Sequence, residues 1–217
     1  MKKIIHYLNP KLVAVTGGIG SGQSTVCEYL SSYGCKIINL DIKAKQIIGK
    51  DLSLQNELKK TFGKKIFNAD NRLDNKLLAS IVFSDVIKTE KLNKLVHPKM
   101  VPEIIEEMET ARFSHKYPLI VLDAALIFEM NTEQIFDAVI VVYATLEHRI
   151  KRIMERDGLS KADILNRVDK QIPLEDKKEW GDYVIDNNGS MTHLKKQTEQ
   201  IYKKLIEDIR LEKRIRV

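Results

Sequence analysis

The stretch "VAVTGGIGSGQSTVCEYL", residues 13–30, decides how the rest of the chain is read. It begins in an apolar run, "KLVAVT" (11–16), and ends in an apolar helical period through Val26, Leu30 and Tyr33, so its glycines lie between a strand and a helix. That is the setting in which G-x-x-x-x-G-K-[ST] forms a phosphate-binding loop. Gly17 and Gly22 fill the glycine positions and Ser24 and Thr25 supply hydroxyls, but Gln23 stands where the lysine belongs. The glycines let the backbone curl so that successive N–H groups converge on an anion, and the helix N-terminus adds partial positive charge. None of these donors is the side chain of residue 23. Gly18, Ile19, Gly20, Ser21, Gly22, Gln23, Ser24 and Thr25 are therefore the candidate nucleotide-phosphate site. A ligand-free glycine-rich turn is the competing reading. The missing lysine favours it; the glycines of "GGIG" and "SG" and the terminal hydroxyl pair weigh against it.

The chain has 217 residues and is 43% apolar, enough for one sizeable core and one α/β unit with insertions. No apolar run approaches the roughly 20 residues that cross a bilayer, and "MKKIIHYLNPKLVAV" has no small-residue cleavage site, so a soluble cytoplasmic protein is expected. Cys27 and Cys35 have no partners at metal-ligand spacing and read as small core side chains. The formal charge is +6, but the basic residues are spread along the chain among 30 acidic ones. This suits a phosphorylated small molecule at least as well as nucleic acid.

Further strand-like runs occur at "KIINLD" (36–41), "PLIVLDA" (118–124), "DAVIVVYA" (137–144) and "DYVIDN" (182–187). Helical patterns lie between them, for example Ile104, Ile105 and Met108, and a last helix from about Met191 to Arg214 carries Leu194, Ile201, Leu205 and Ile209. Strand–helix alternation predicts an α/β fold, a five-stranded parallel sheet flanked by helices with right-handed crossovers. The core is expected at about 1–45, 116–144 and 181–217, with a helical insertion at about 46–115 and a polar, basic lid at about 145–180.

In such a sheet, ligands sit outside the carboxyl ends of the strands, where polar residues ending apolar strands face one crevice. Asp41 ends "KIINLD" and is a candidate to accept the proton of an attacking hydroxyl. Asp123 ends "PLIVLD" and is a candidate to hold a water of a magnesium shell. An N-cap for the next helix explains an aspartate at either junction equally simply.

"VTGGIGSGQSTV", "IINLDIKAKQI", "KLVHPKM", "LIFE", "RIKRIMERDGLSKADILNRVDKQ" and "DYVIDNNGS" follow one another in the order and spacing of dephospho-CoA kinases, and the chain resembles that family from about Leu12 to Leu205. The resemblance implies a P-loop kinase fold with a helical substrate-binding insertion and a lid. It implies transfer of the γ-phosphoryl group of ATP to the 3'-hydroxyl of dephospho-CoA, with ATP and Mg²⁺ required. Dephospho-CoA is then the small-molecule partner, with no nucleic acid, no membrane and a monomeric protein expected. Asp41 matches the catalytic base, and Ser24 the Mg²⁺ ligand of the ATP-phosphate loop. Arg149, Arg152 and Arg156 fall in the lid-helix region that supplies arginines to the transferring phosphate, Arg152 and Arg156 being the better matches. Their spacing of three and four also suits one solvated helix face. Lys45 and His97 match acceptor-binding positions, His97-Pro98 resembling a His-Pro at a helix start. Asn187 and Asn188 match a loop bordering adenine.

The chain departs from the family in three places. Asn39-Leu40-Asp41 stands for Asp-Ala-Asp, Ala125 replaces a proline in "DAALIFE", and Gln23 replaces the lysine. Glutamine donates hydrogen bonds but carries no charge, and losing one transition-state donor typically costs on the order of 10² to 10³ in rate. Gln23 therefore marks either an engineered or accidental substitution, a natural enzyme compensated by another cation such as Lys43 or Lys45, or a catalytically silent ATP-binding relative. A nucleoside or nucleotide kinase would share the same core.

Overall fold

Five strands form where the apolar runs stand: β1 (Lys11–Gly17), β2 (Lys36–Asn39), β3 (Leu119–Asp123), β4 (Ala138–Tyr143) and β5 (Tyr183–Asp186). The computed structural model describes residues 9–82 and 85–215, with backbone alone at residue 86 and residues 209–215. The leader reading of residues 1–8 and the side chain of Ile209 lie outside the described residues. The sheet order is β2-β3-β1-β4-β5 and every pairing is parallel. Central parallel strands are covered on both faces, which is why β1, β3 and β4 read as continuous apolar runs rather than alternating ones.

Helices supply the crossovers: α1 (Gln23–Ser32), α2 (Leu40–Lys50), α3 (Leu52–Phe62), α4 (Asn75–Val82), α5 (Val86–Phe113), α6 (Leu146–Asp157), α7 (Lys161–Val168), α8 (Leu174–Trp180) and α9 (Met191–Ile215). Backbone packing divides them into two compact units, one running up to Asn39 and resuming at Met108, the other spanning Leu40–Glu107.

In the sheet unit, Val26, Cys27 and Leu30 of α1 and Leu194, Ile201 and Leu205 of α9 share a buried cluster with Val13, Val15, Val121, Ile140 and Ile185. Both cysteines are free and buried. Acidic side chains fasten the amino ends of the strands: Asp137 accepts from Leu12 N at 2.6 Å and Asp182 from Val139 N at 2.8 Å. At the carboxyl ends, the register pairs Val15 with Asp123 and Asp123 with Asn39, so β2 and β3 end in one row level with Val15 while β1 runs two residues further to Gly17. β1 lies between β3 and β4, so the loop leaving it opens where the sheet changes direction of growth, the usual ligand crevice of such sheets.

In the helical unit, Asp51 caps α3 by accepting from Leu54 N at 2.9 Å, and Gly63 ends that helix at φ 91°. Ile47, Ile48, Leu54, Leu58, Ile66 and Leu78 are among its buried apolar residues. His97-Pro98 does not start a helix, contrary to the reading above: α5 runs unbroken from Val86 to Phe113 with Pro98 and Pro102 inside it. Both prolines are exposed, so water can serve the carbonyls that lose an N–H donor, and the helix tolerates them.

Proline inside a helix is less favourable than alanine by about 3 kcal/mol, offset by about 0.4–1 kcal/mol from the stiffer unfolded chain. Pro102→Ala is therefore expected to raise stability by about 2–2.6 kcal/mol, read as a higher denaturant midpoint of the full chain. An unchanged or lowered midpoint would show that Pro102 carries no such helix penalty.

Candidate active site

The loop from Gly17 to Gly22 is shaped by where side chains are impossible. Gly20 and Gly22 lie at φ 80° and 96°, the left-handed region that glycine adopts without strain. Gly22 is also closed in space, since a Cβ there would fall on Asn187 Nδ2. Ser21 N donates to Gly18 O at 2.9 Å, which tightens the turn. Gly22 precedes α1 without a side-chain cap, and only Thr25 N and Val26 N turn back to the Gly22 carbonyl. The first amides of α1, those of Gln23 and Ser24, are left to an anion at the helix end. Ser21 Oγ is buried with no hydrogen-bond partner among the described residues.

Beneath the loop, Gln23 turns toward the sheet. Its Nε2 donates to Val15 O at 2.9 Å and to Asp123 Oδ1 at 2.5 Å. A primary amide has two N–H donors, and in this arrangement both are spent on the protein. Asp123 is 7% exposed and its other oxygen accepts from Asn39 Nδ2. Burial and the Asp123 carboxylate together push the Cys27 thiol well above its ordinary pKa. No helix follows Asp123, so the capping alternative does not apply to it.

α6 lies against the loop through Arg149. This guanidinium is 4% exposed, donates from Nε to Ile19 O at 2.8 Å, and sits so close to Gly18 that a Cβ there would be 2.6 Å from its Cζ. Burial pulls its pKa down and the Glu175 carboxylate opposes the shift. Arg152 donates to Asn187 O at 2.6 Å and reaches Gly20 O and Ser21 O at 3.5 Å. Arg156 turns away and forms a bidentate pair with Asp157 at 2.8 Å. Asn187 is buried and donates to Ser21 O at 2.7 Å, while Asn188 Oδ1 accepts from Thr145 N at 2.8 Å.

Two residues make contacts that had no local signal in the sequence. Gln171 Oε1 accepts from Ile19 N at 3.0 Å across 152 positions. Lys177, fully buried, pairs with Glu129 at 2.6 Å and donates to Ala125 O at 3.0 Å. Burial lowers the Lys177 pKa and Glu129 resists that shift. The Ala125 carbonyl also accepts from Thr16 Oγ1 at 3.2 Å, which ties the segment after β3 to the end of β1.

Asp41, Lys45 and His97 belong to the helical unit. Asp41 is exposed in the first turn of α2, inside the helix rather than before it, so it does not hold the N-cap position. Lys45 is exposed and lines a cavity of about 190 Å³ with Gln55, Asn71 and Arg72. His97 is half-buried within α5, and burial lowers its pKa. Lys43, a candidate to replace the missing charge, is engaged by Glu107 at 2.5 Å.

Among the described residues no group of three or more His, Cys, Asp or Glu side chains could hold a metal. The donor set at the loop, the Ser24 hydroxyl with Asp123 below it, fits a Mg²⁺ carried mainly by phosphates and waters rather than a protein cage.

A five-stranded parallel sheet flanked by helices, whose first strand feeds a glycine-rich phosphate loop, defines a P-loop kinase fold. A solved shikimate kinase from Acinetobacter baumannii shares it with a TM-score of 0.51 over 93% of this chain and 96% of that one; at 10% identity the likeness is of fold alone. The family profile described as CoaE, dephospho-CoA kinase, matches residues 11–193. The dephospho-CoA kinase of Latilactobacillus sakei is 36% identical over 87% of this chain and 93% of its own length. The solved structure of TT1252 from Thermus thermophilus is similar with a TM-score of 0.75, at 33% identity over 91% of this chain and 98% of that one. The chain belongs to the dephospho-CoA kinase family.

Gly22→Ala forces alanine into a left-handed conformation, at roughly 1–2 kcal/mol, and drives its Cβ into Asn187. It is expected to weaken ATP binding at least about tenfold by that strain and the displaced loop. Adding Asn187→Ala removes the collision but not the backbone strain and should recover only part of the loss. ATP affinity by calorimetry checks both, and a wild-type Kd for Gly22→Ala would contradict the close packing of this loop.

Proposed function

We propose that this chain transfers the γ-phosphoryl group of ATP to the 3'-hydroxyl of dephospho-CoA, giving CoA and ADP, and that Gln23 slows the transfer. Membership of the family together with the uncapped α1 amides at the loop carries the reading. The Leu40–Glu107 unit serves as the acceptor-binding insertion, with Lys45 and His97 as acceptor contacts, and α6 to α8 form the lid. Asn187 and Asn188 border the adenine, Asn187 also bracing the loop. Asp41 follows β2 at the carboxyl edge of the sheet, the edge at which the loop opens, and accepts the proton of the 3'-hydroxyl. The freed oxygen bonds to the γ-phosphorus while the bond from that phosphorus to the ADP oxygen breaks. The loop amides and Arg149 and Arg152 bear the negative charge of the phosphates. Arg156 joins them only after leaving Asp157. Mg²⁺, when bound, supplies further charge neutralisation at the phosphate oxygens, and the Ser24 hydroxyl, with Asp123 through a water, would hold it.

A general base contributes typically 10² to 10⁴ in rate. Asp41→Asn is accordingly expected to lose transfer by about 10²-fold or more while ATP affinity stays within a few-fold, because the base acts on the acceptor hydroxyl. Near-normal single-turnover rates in this variant would remove Asp41 from the mechanism.

The charge missing at residue 23 acts chiefly on the transition state, where charge shifts onto the β–γ oxygens. Gln23→Lys is expected to raise kcat by about 10²-fold with a much smaller change in the directly measured ATP Kd. Equal kcat in the two forms would mean that Arg149 or Arg152 already fills the role. ATP binding without transfer to any acceptor in either form would favour a silent relative, a reading motivated by the commitment of both Gln23 donors to the protein.

A further inference from the structure

Asp123 is a buried carboxylate whose two oxygens both accept from uncharged amides, Gln23 Nε2 on Oδ1 and Asn39 Nδ2 on Oδ2. The two donors come from opposite directions. Asn39 ends β2 and is the register partner of Asp123, whereas Gln23 opens α1 and reaches down to it, anchored by its second bond to Val15 O. We infer that Gln23 and Asn39 act as one unit, a paired amide clamp that seats Asp123 under the phosphate loop, so that the residue tolerated at 39 depends on the residue at 23. As a positioning device for the phosphoryl-transfer site, this inference rests on the activity proposed above.

The argument is one of charge and donor counting. A buried carboxylate must be hydrogen-bonded or paired. With glutamine and asparagine, the set carries the single negative charge of Asp123 and donates to both of its oxygens. Aspartate at 39 alone would remove one donor and set a second carboxylate against the first. Lysine at 23 alone would neutralise the set. The two changes together restore one net negative charge, and an ammonium group has three donors to divide between two carboxylates. Positions 23 and 39 are also two of the places where the chain departs from the motifs it otherwise follows. Asn39 acts here through Asp123, which is tied to the first residue of α1 beside the Ser24 hydroxyl, and is a positioning residue.

The test compares Gln23→Lys, Asn39→Asp and the double variant with the unsubstituted full-length protein. Three quantities are read: the thermal midpoint without nucleotide or metal, the ATP Kd, and kcat and KM with dephospho-CoA. Made in the unsubstituted protein, Asn39→Asp is expected to lower the midpoint by about 5 °C and kcat by about 30-fold. Made on top of Gln23→Lys, it should lower kcat by less than about threefold, with the midpoint recovered. The resulting coupling of about tenfold lies within the range seen for residues in one hydrogen-bond network, and it should appear in kcat rather than in KM. A purely structural role would move the midpoint and leave kcat uncoupled. Asn39→Asp that cannot be purified alone but folds with Gln23→Lys gives the same answer. If both forms are insoluble, the alanine series replaces them: a clamp predicts that Gln23→Ala with Asn39→Ala costs no more than the larger single loss. Effects that combine independently, within about twofold in kcat and about 1 °C in midpoint, overturn the clamp. If no form phosphorylates dephospho-CoA, the proposed activity falls, and coupling in the midpoint and ATP Kd still decides whether Gln23 and Asn39 work together.

Discussion

The candidate site depends on one constraint, the parallel pairing of β1 with a strand on each side. Both neighbours run the same way, so all three strands leave the sheet on the same edge. The loop after β1 therefore emerges between the ends of β3 and β4, and Asp123 and Asn39 finish in the same row as Val15. A helix starting at that edge points its amino end into the crevice, where its first amides and its dipole favour an anion. The loop needs no charged side chain to be an anion site.

That separation between backbone and side chain gives Gln23 its physical meaning. Binding a phosphate in the ground state draws on amides that Gly20 and Gly22 make possible. Moving the phosphate, in the function proposed above, draws on charge placed where charge develops. Gln23 is also occupied below the loop, since its two donors complete a carboxylate and a carbonyl of the sheet. The side chain thus contributes to the floor of the site, and the cations against the loop come from α6.

Arg149 shows how closely these layers are packed. Burying a guanidinium is costly unless it is hydrogen-bonded, and here the Ile19 carbonyl accepts from it while Glu175 lies near enough to favour its charged form. The approach to Gly18 is close enough that any side chain there would have to displace it. Ile19 is held on both sides of its backbone, its carbonyl by Arg149 and its amide by Gln171. The loop's shape accordingly depends on Arg149 and Gln171 as well as on its own glycines.

Much of this was legible in the sequence, because its signals are local. Five apolar runs announced five parallel strands, the glycine spacing announced a loop between strand and helix, and a strand-ending aspartate announced Asp123. Each follows from backbone geometry within a few residues. The chain's own letters could not reveal that Arg149 lies nearer the loop than Arg156, since both occupy one helix with the same spacing and only packing against Gly18 separates them. Nor could they show Asn39 and Gln23 meeting on one carboxylate, which requires the register of β2 on β3 and the turn of α1 over both. His97-Pro98 misled for a related reason: proline is a strong local breaker, and only the exposure of that helix face in the folded protein lets α5 continue through it. The sequence by itself determined which backbone shapes form, because those are set by neighbours along the chain. Tertiary structure alone decided which side chains share a charge, because that is set by neighbours in space.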